Sequence, residues 1–474
     1  MACSPRIGKS FCRIISIVSA FASPLAVSSA WGALGSLSTG ASLQAPDFGA
    51  FERLQPLTQA NLYSQWTPDS AIKEALSDSL GRVDASFNIP EELQEKVRFW
   101  AAIFGRYSQY QTVIYDTAHP EIIYEVLDFS DLKKRSRNLV AYEIVRQRIL
   151  SNTMRDYETA FRKLAARGGL KLRSEHGLTG KEIQIYRALV EARPETTKGS
   201  THNHTIQAFH KGFRAQTGLR DQLIHGLVRS QRLLPSMRTI FDEEQVPHEL
   251  IQISLVESSF NHGAISRSGA TGVWQIMPTT GKRYLRMDET SGIDERLSPL
   301  KSTRAAARIL RDNFKFLDSW ALAVTAYNSG YRGLLKIPRQ RRLGDALYKE
   351  LRPCGGTQHL GIAGRNYFAE FLAVMYLVEY RDVVFSMTVD SGQPTPFQTH
   401  RTRRSQRLAE LLKREKLDKT TFLEWNPDLA RAKMIPKNTE FFFPVTPESV
   451  AANDRDNVGL HRQAAAPANF PPAI

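Results

Sequence analysis

The chain has 474 residues, a formal net charge of +15 and 23% charged residues. It is too long for one ordinary domain, and its 42% of hydrophobic residues can bury several cores, which excludes a mostly disordered chain. The basic balance indicates an anionic partner, which is a nucleic acid, a membrane surface or an anionic polymer. No stretch interleaves basic and aromatic residues as nucleic-acid modules do, so we expect no nucleic acid among the partners.

The first thirty residues have the pattern of a secretory signal. Basic residues precede an apolar run at 14–27, which is too short to span a bilayer, and small residues follow at 28–30. We therefore predict a signal peptide over 1–30 and an exported, periplasmic protein; an uncleaved membrane anchor is the alternative. Two of the three cysteines, Cys3 and Cys12, fall in this segment. We accordingly expect no disulfide framework, no cysteine metal site and no cofactor.

A mostly helical accessory region is predicted over 50–240, after a flexible linker rich in Gly, Ser and Ala at 31–49. Pro90, with acids behind it, predicts the start of a helix whose apolar face runs through Phe104. Residues 111–129 are β-branched and aromatic on both sides of a turn, which predicts one β-hairpin.

Further helices are predicted in the rest of this region. Residues 132–166 return to the helical period, and we expect their Lys and Arg side chains to form the solvated face. More helices follow through 170–245, the last of them beginning near Pro235.

Residues 241–385 predict a small all-helical domain. Its strongest helix covers 302–316, with Ser302 or Thr303 expected as the cap. Another helix at 320–327 is apolar on nearly all sides and is therefore expected to be central.

The C-terminal part is predicted to form a smaller unit and a tail. Residues 396–446 predict two helices followed by a strand that begins at Glu440. Residues 451–474 turn to Ala, Pro, Asn and Asp, which predicts a disordered tail.

Glu257 stands at the end of an apolar helix that begins near Pro247. Leu250, Ile253 and Glu257 share one face of that helix by their spacing. A core-directed face desolvates the carboxylate and the helix C-terminus disfavours its ionisation, so both effects raise its pKa. A carboxyl that stays protonated near neutral pH is what a general acid requires. A surface Glu that ends a helix is the alternative.

A loop dense in small and polar residues follows Glu257. Ser266 and Gln275 supply neutral donors and acceptors, and we expect Trp274 to form an aromatic platform. Such groups suit a sugar with hydroxyl and acetamido substituents, and Gly272 permits a tight turn. An ordinary polar surface loop is the alternative.

A second carboxylate is the usual requirement for glycoside hydrolysis. We expect Asp294-Glu295-Arg296 to form ion pairs and a turn before the next helix. The alternative to a second carboxylate at the site is that none reaches Glu257. The acetamido group of the substrate would then assist the reaction instead. The candidates for a second carboxylate are Asp288, Glu289, Asp294 and Glu295.

A series of short motifs runs through residues 235–380. They are Glu257-Ser258, Ala264-Ile265-Ser266, Gly269-Ala270, Gly272-Val273-Trp274-Gln275, Ala326-Tyr327-Asn328-Ser329-Gly330 and Arg365-Asn366-Tyr367. Taken in that order, they resemble the motifs of lytic murein transglycosylases of glycoside hydrolase family 23, and among these the membrane-bound D type. Each motif is short, and their common order makes the resemblance specific.

The resemblance implies a lysozyme-like helical domain that cleaves the β-1,4 bond between N-acetylmuramic acid and N-acetylglucosamine in peptidoglycan. Glu257 matches the family's one catalytic acid. It would protonate the glycosidic oxygen and then accept a proton from the muramic 6-hydroxyl, which gives a 1,6-anhydro sugar without water. The resemblance also implies substrate contacts for Ser266, Gln275, Tyr327, Asn328 and Tyr367.

The C-terminal segment 408–445 resembles a degenerate LysM module, in which two helices pack on a two-stranded sheet and bind glycan. Trp425-Asn426-Pro427 fits its landmark, and its first strand would lie around Phe397. The expected fold is therefore mainly α, with a lysozyme-like catalytic domain, a helical accessory region containing one hairpin and a small α+β LysM-like module. Peptidoglycan strands are the expected partner, and the charge is compatible with peripheral association with the envelope. A hydrolytic muramidase and a non-catalytic peptidoglycan-binding protein are the alternative functions.

Overall fold

The structure is a computed structural model that describes residues 67–167, 175–192, 209–210, 212–337, 347–348, 351, 360–387, 397–415 and 417–444. The predicted signal peptide and linker at 1–49 and the predicted tail at 451–474 lie outside these residues and stay predictions. Among the described residues, no helix combines the length and the apolar character needed to cross a bilayer.

The N-terminal half combines helices with a three-stranded antiparallel sheet of order β2-β1-β3. The predicted hairpin is confirmed, since β1 and β2 pair antiparallel. The third strand, on the other edge of β1, was not predicted because three of its five residues are polar. The elements are α1 (Pro68–Ser77), α2 (Gln94–Gly105), β1 (Gln111–Asp116), β2 (Ile123–Asp128), α3 (Ser130–Arg135), α4 (Leu139–Ala166), α5 (Lys181–Ala192), β3 (Phe213–Thr217) and α6 (Arg220–Ser230).

The helix predicted over 132–166 is two helices, α3 and α4. Asn138 caps α4, because its side chain accepts hydrogen bonds from the backbone N–H groups of Val140 and Ala141 at 2.8 and 3.1 Å. The solvated face of the first three turns carries mainly aliphatic side chains, so the prediction of a Lys and Arg face holds there only for Arg148. The inner face holds the buried polar residues Glu143 and Arg146 instead.

The described part of the predicted all-helical domain is mainly helical, but it also contains a pair of two-residue antiparallel strands that the sequence did not predict. Its strongest helix, α10, begins at Pro299, three residues before the predicted start. Ser302 and Thr303 therefore lie inside the first turns and do not cap the helix; their hydroxyls donate to the backbone oxygens of Ser298 and Pro299. The elements are α7 (Leu234–Glu243), a 3-10 turn (His248–Gln252), α8 (Ile253–Ser258), α9 (Pro278–Tyr284), β4 (Met287–Asp288), β5 (Ile293–Asp294), α10 (Pro299–Leu317), α11 (Trp320–Ser329), α12 (Tyr331–Leu334), α13 (Ile362–Glu379) and α14 (Arg381–Phe385).

One hydrophobic core extends from the accessory region into this domain. Helix α13 packs against both α2 and α11, so it lies at the centre of that core. Leu93 and Trp100 from the accessory side belong to the same buried cluster as Phe371 on α13. The accessory region and the predicted catalytic domain are therefore packed as one body around α13.

The C-terminal segment folds as strand, helix, helix, strand. Its strands pair antiparallel, with Phe397 opposite Pro444. The Asn426 side chain joins the second helix to the second strand, because it donates to the backbone oxygen of Phe442 at 2.6 Å and accepts from its N–H at 2.7 Å. This arrangement agrees with two helices on a two-stranded sheet, while the LysM assignment stays a prediction. The elements are β6 (Phe397–Arg401), α15 (Leu408–Arg414), α16 (Lys419–Trp425) and β7 (Glu440–Pro444).

A buried ion pair attaches this C-terminal unit to the domain of α7–α14. The Lys301 ammonium on α10 lies 2.7 Å from the Asp428 carboxylate and 3.2 Å from that of Glu295. The Arg232 guanidinium stacks over the Trp425 ring at 4.6 Å. Removing one partner of a buried pair leaves an uncompensated charge, so these contacts fix the unit in place.

Candidate active site

Glu257 lies in the last turn of α8 and is only 5% exposed. The predicted face is confirmed, since Leu250 and Ile253 are fully buried beside it. The helix ends at once after Ser258, because Ser259 and Phe260 both adopt left-handed backbone conformations with φ of 49° and 59°. The chain therefore turns sharply into the loop, and the carboxyl stays directed into the interior.

The environment of Glu257 favours its protonated form. Burial is the main cause and raises the pKa of Glu257 from 4.5 to about 7. The Tyr367 hydroxyl donates a hydrogen bond to Glu257 Oε1 at 2.5 Å, which acts in the opposite direction and lowers the pKa. The predicted direction of the pKa shift is thus confirmed, and a pKa of about 7 gives Glu257 both an acid and a carboxylate form near neutral pH.

The loop after Glu257 is tied back to helix α8. Ser258 donates to the backbone oxygen of Val273 at 2.8 Å and accepts from the N–H of Asn261 at 3.1 Å. From the other side, the Tyr327 hydroxyl on α11 donates to the backbone oxygen of Trp274 at 2.8 Å. These contacts hold the loop motif between α8 and α11.

Trp274 is not the aromatic platform that the sequence predicted. Its ring is fully buried, stacks on Phe241 with centroids 5.8 Å apart, and donates from Nε1 to the Thr303 hydroxyl at 2.9 Å. A ring whose faces and N–H are engaged in the core cannot stack on a sugar. Trp274 therefore anchors the loop to α7 and α10.

Gln275 and Ser266 lie at different depths in this loop. Gln275 is buried with a φ of 45°, and its Nε2 donates to the backbone oxygens of Ala264 and Gly272 at 3.2 and 2.9 Å. Its Oε1 has no hydrogen-bond partner within the described part of the chain. Ser266 is half-buried and accepts from the N–H of Ala270 at 2.9 Å. Gln275 Oε1 is thus a buried acceptor without a partner among the described residues, while the amide nitrogen shapes the loop.

Gly272 and Arg296 fix the shape of the loop where its backbone comes closest to the backbone of Arg296. Gly272 has a φ of 79°, and a Cβ on it would lie 2.0 Å from the backbone oxygen of Arg296. The Arg296 guanidinium donates to the backbone oxygens of Gly269 and Ile276 at 2.7 and 3.1 Å. It also pairs with the Asp294 carboxylate at 2.7 Å, which confirms the predicted ion pair.

Three of the four carboxylates that the sequence offered as a second acid have partners of their own. Asp294 is engaged by Arg296. Glu295 lies 3.2 Å from the Lys301 ammonium, and Asp288 accepts from the Ser291 hydroxyl at 2.7 Å. Glu289 is exposed. None of these four carboxylates contributes to the electrostatics of Glu257, which agrees with the expectation that they are not its partner.

Glu370 is a buried carboxyl near Glu257 that the sequence analysis missed. It lies one turn after Tyr367 on α13 and is 2% exposed. Burial raises the pKa of Glu370 to about 8, and the charge of Glu257 adds to this effect. An acid inside the apolar run at 368–378 was the available signal, since buried carboxyls are rare outside paired or functional positions.

Lys96 brings a residue of the accessory region to the same site. Its ammonium group donates to the backbone oxygens of Leu351 and Arg365 at 2.5 and 3.2 Å. Burial and the nearby Arg365 lower the pKa of Lys96 to about 7, and Glu370 acts against this shift. Lys96 stands among the charged residues of a helix start, so no sequence pattern distinguishes it.

The structure brings Glu257, Tyr327 and Tyr367 together. Burial, and after it the charge of Glu257, raises the pKa of both tyrosines, so both hydroxyls remain donors. Asn328 follows Tyr327 at the end of α11 and is half-buried. Among the described residues, Tyr367 donates the direct hydrogen bond to the Glu257 carboxyl. Ser266 and Gln275 form their hydrogen bonds with the backbone of the loop instead.

With Glu257 as the expected general acid, replacing Tyr367 by Phe should move the alkaline limb of the pH–rate profile to higher pH. The lost hydrogen bond stabilises the ionised carboxylate, so its removal raises the pKa of Glu257 further and keeps the acid protonated longer. The plateau rate should fall by about ten-fold, because hydrogen bonds to charged groups contribute roughly 1.5–3 kcal/mol. The profile of kcat/KM against pH measures both effects. Tyr348→Phe, another tyrosine packed near α13, is the matched control, and an unshifted limb in Tyr367→Phe would contradict the assignment.

Comparison with known proteins defines the class of this domain. Residues 241–345 match the family model described as Transglycosylase SLT domain. The predicted resemblance to lytic transglycosylases is thereby confirmed for that part of the chain.

Individual relatives carry the same designation. The chain is 38% identical over 95 residues to Membrane-bound lytic murein transglycosylase D of Escherichia coli (strain K12), a match that covers 20% of this chain and 21% of that protein. It is 33% identical over 128 residues to Membrane-bound lytic murein transglycosylase C of Histophilus somni (strain 2336), covering 24% of this chain and 35% of that protein. The match therefore spans about a fifth of the length of the first of these relatives.

Proposed function

We propose that the protein is a lytic transglycosylase of peptidoglycan in which Glu257 is the one catalytic acid and base. The observation that carries this proposal is a fully buried carboxyl with a pKa of about 7 and a hydrogen bond from Tyr367. Such a carboxyl can release a proton and take one back near neutral pH, so one group can serve both steps of the reaction. The SLT match over 241–345 supports the class of substrate.

The proposed reaction cleaves the β-1,4 bond between N-acetylmuramic acid and N-acetylglucosamine. Protonated Glu257 gives its proton to the glycosidic oxygen, and the bond from that oxygen to C1 breaks. The acetamido oxygen of the muramic residue stabilises the cation at C1. The Glu257 carboxylate then takes the proton of the 6-hydroxyl as that oxygen bonds to C1. The product is a 1,6-anhydro sugar, Glu257 is again protonated, and no water is consumed.

The state of Glu370 favours this route over hydrolysis. A two-carboxylate hydrolase needs an ionised partner that attacks C1 or activates water. Glu370 interacts with Glu257, yet its pKa of about 8 keeps it mostly protonated at neutral pH. Its burial also shields it from water. Assistance by the substrate is therefore the route that these residues support.

The rest of the chain fits a periplasmic enzyme of the cell wall. We propose that Ser266, Gln275, Tyr327 and Asn328 line the glycan cleft with Tyr367. Residues 396–446 would bind glycan as a LysM-like module, and residues 1–30 would direct export. The excess positive charge favours a polymer that carries peptide carboxylates.

The mass of the released muropeptides tests the proposed function. Purified protein is incubated with sacculi, and the soluble products are weighed. We expect anhydro products, each lighter by one water than the product of hydrolysis. Fully hydrated products would identify a muramidase, and binding without release would identify a non-catalytic peptidoglycan-binding protein.

A further inference from the structure

An exposed apolar face covers the first three turns of α4. Val140 and Ile144 follow one another at i, i+4 spacing, as do Val145 and Ile149, so they share one outward surface. Large aliphatic side chains gathered on one exposed helix face mark an interaction site, whereas single ones need no explanation. The members and their exposed fractions are Leu139 (47%), Val140 (49%), Ile144 (56%), Val145 (42%) and Ile149 (40%).

The fold holds this face outward. On the opposite side of the helix, the Arg146 guanidinium lies 3.0 Å from the Glu143 carboxylate, and both are buried. Arg146 also donates to the Thr217 hydroxyl on β3 at 2.8 Å. Rotating α4 to bury its aliphatic residues would expose this pair and break its hydrogen bonds. The apolar face is therefore a fixed feature of the surface.

Positive charge lies next to the apolar face. Residues 131–155 contain seven Lys and Arg and two acids. One of the acids, Glu143, is buried against Arg146, and the other, Asp131, lies 3.1 Å from the Lys134 ammonium. Arg148 is exposed on the same side of the helix as Ile144. Arg146 is buried, and the exposed acids Asp128, Asp156 and Glu158 lie just outside this range. The exposed cations therefore lie mainly on α3 and at the start of α4, next to the aliphatic side chains.

We propose that this α4 face docks on an anionic phospholipid surface. Aliphatic side chains enter the boundary of the acyl chains, while Lys and Arg stay at the level of the phosphates, which is how amphipathic helices bind an interface. A glycan does not match the face, because the face has aliphatic chains and no aromatic ring to stack on a sugar. A second copy does not match it either, because each copy would present the same positive charge.

Vesicle binding tests this proposal with the full chain. The probes are vesicles of mixed phosphatidylglycerol and phosphatidylcholine, and vesicles of phosphatidylcholine alone. We expect binding to the anionic vesicles only. The combined substitution Ile144→Glu and Val145→Glu should weaken it at least about ten-fold, because it removes apolar area and adds repelling charge. Both positions are exposed, so the fold should be kept. Leu80→Glu, at a position that is 58% exposed near α1, is the matched control and should bind as the unchanged chain does.

A second pair of substitutions examines the charge by itself. Lys134→Gln with Arg135→Gln keeps the apolar face and should weaken binding about five-fold for each charge removed. Unaltered binding in both combined variants would overturn the proposal, and so would a wild-type chain that ignores anionic vesicles. A dimer in sedimentation that the Glu variant dissolves would also overturn it, because the face would then join two copies. No residue of α4 belongs to the proposed site, so we expect the docking variants to release muropeptides at the unchanged rate, and a failure of docking is distinct from a failure of the proposed activity.

Discussion

Glu257→Gln is expected to abolish turnover of sacculi while binding to them persists. The amide has the shape of the carboxyl and still accepts the hydrogen bond from Tyr367, but it cannot transfer a proton. General acid–base catalysis by one group contributes typically 10²–10⁴-fold, and in the proposed reaction Glu257 serves two steps. We therefore expect a fall of about 10⁴-fold in the rate of muropeptide release, with unchanged cosedimentation with sacculi. Glu289→Gln, the same change at an exposed position, is the matched control and should retain full turnover.

The pH dependence of the free energy of unfolding gives a second test with the same variant, Glu257→Gln. The folded-state pKa of Glu257, about 7, exceeds its ordinary value of 4.5, so the folded protein binds more protons between these two pH values. Stability of the unchanged protein is therefore lost as pH rises through that window. Glu257→Gln lacks this cost and should become relatively more stable, by up to about 3 kcal/mol above pH 7. Equal unfolding midpoints for the two proteins at all pH values would contradict the buried position of the carboxyl.

A reversed outcome would reassign the catalytic residue. If Glu370→Gln abolished release and Glu257→Gln did not, the acid would be the carboxyl on α13. The structure favours Glu257, because it ends a helix beside the loop, whereas Glu370 lies within the apolar core of α13 with a higher pKa.

The sequence was sufficient for what depends on local pattern. The spacing of Leu250, Ile253 and Glu257 predicts a shared buried face, and burial alone is enough to predict the direction of the pKa shift. The helices of the catalytic domain follow in the same way from apolar periodicity. The role of Tyr367 came through the resemblance, because no spacing rule connects residues 110 positions apart.

Features that depend on packing between distant segments could not be predicted from the sequence. The orientation of Trp274 is decided by Phe241 and Thr303, which offer a stacking partner and an acceptor in the core. The contribution of Lys96 is decided by the packing of α2 on α13. The glycines of the loop allow the Trp274 ring to point either into the cleft or into the core. The local sequence therefore could not exclude the expected aromatic platform.

The packing around α13 gives the accessory region a role in the site. Helix α13 carries both Tyr367 and Glu370, and α2 supports its first turn through the hydrogen bond from Lys96 to the backbone oxygen of Arg365. The position of Tyr367 relative to Glu257 therefore depends on residues more than a hundred positions upstream of the catalytic motif. The shared hydrophobic core of the accessory region and the domain that it precedes produces this dependence.

Gly272→Ala is expected to destabilise the protein more than a Gly→Ala substitution at any other glycine of the loop that follows Glu257. The residue has a φ of 79°, which costs about 1–2 kcal/mol for an alanine. Its Cβ would also lie 2.0 Å from the backbone oxygen of Arg296, and a backbone atom cannot move aside as a flexible side chain can. Arg296 holds the loop through Gly269 and Ile276, so a displaced carbonyl carries the whole loop with it. We expect a total loss of at least about 3 kcal/mol and a lower rate of muropeptide release.

Gly269→Ala separates the two causes of this loss. Gly269 belongs to the same loop and has a φ of 84°, but its Cβ would meet only the Pro278 ring at an ordinary distance of 3.5 Å. Its substitution should therefore cost only the conformational part, about 1–2 kcal/mol. Thermal and urea unfolding of the two variants measure the difference. Equal losses would mean that the close approach to Arg296 contributes nothing; a larger loss for Gly272→Ala would show that this contact fixes the loop beside Glu257.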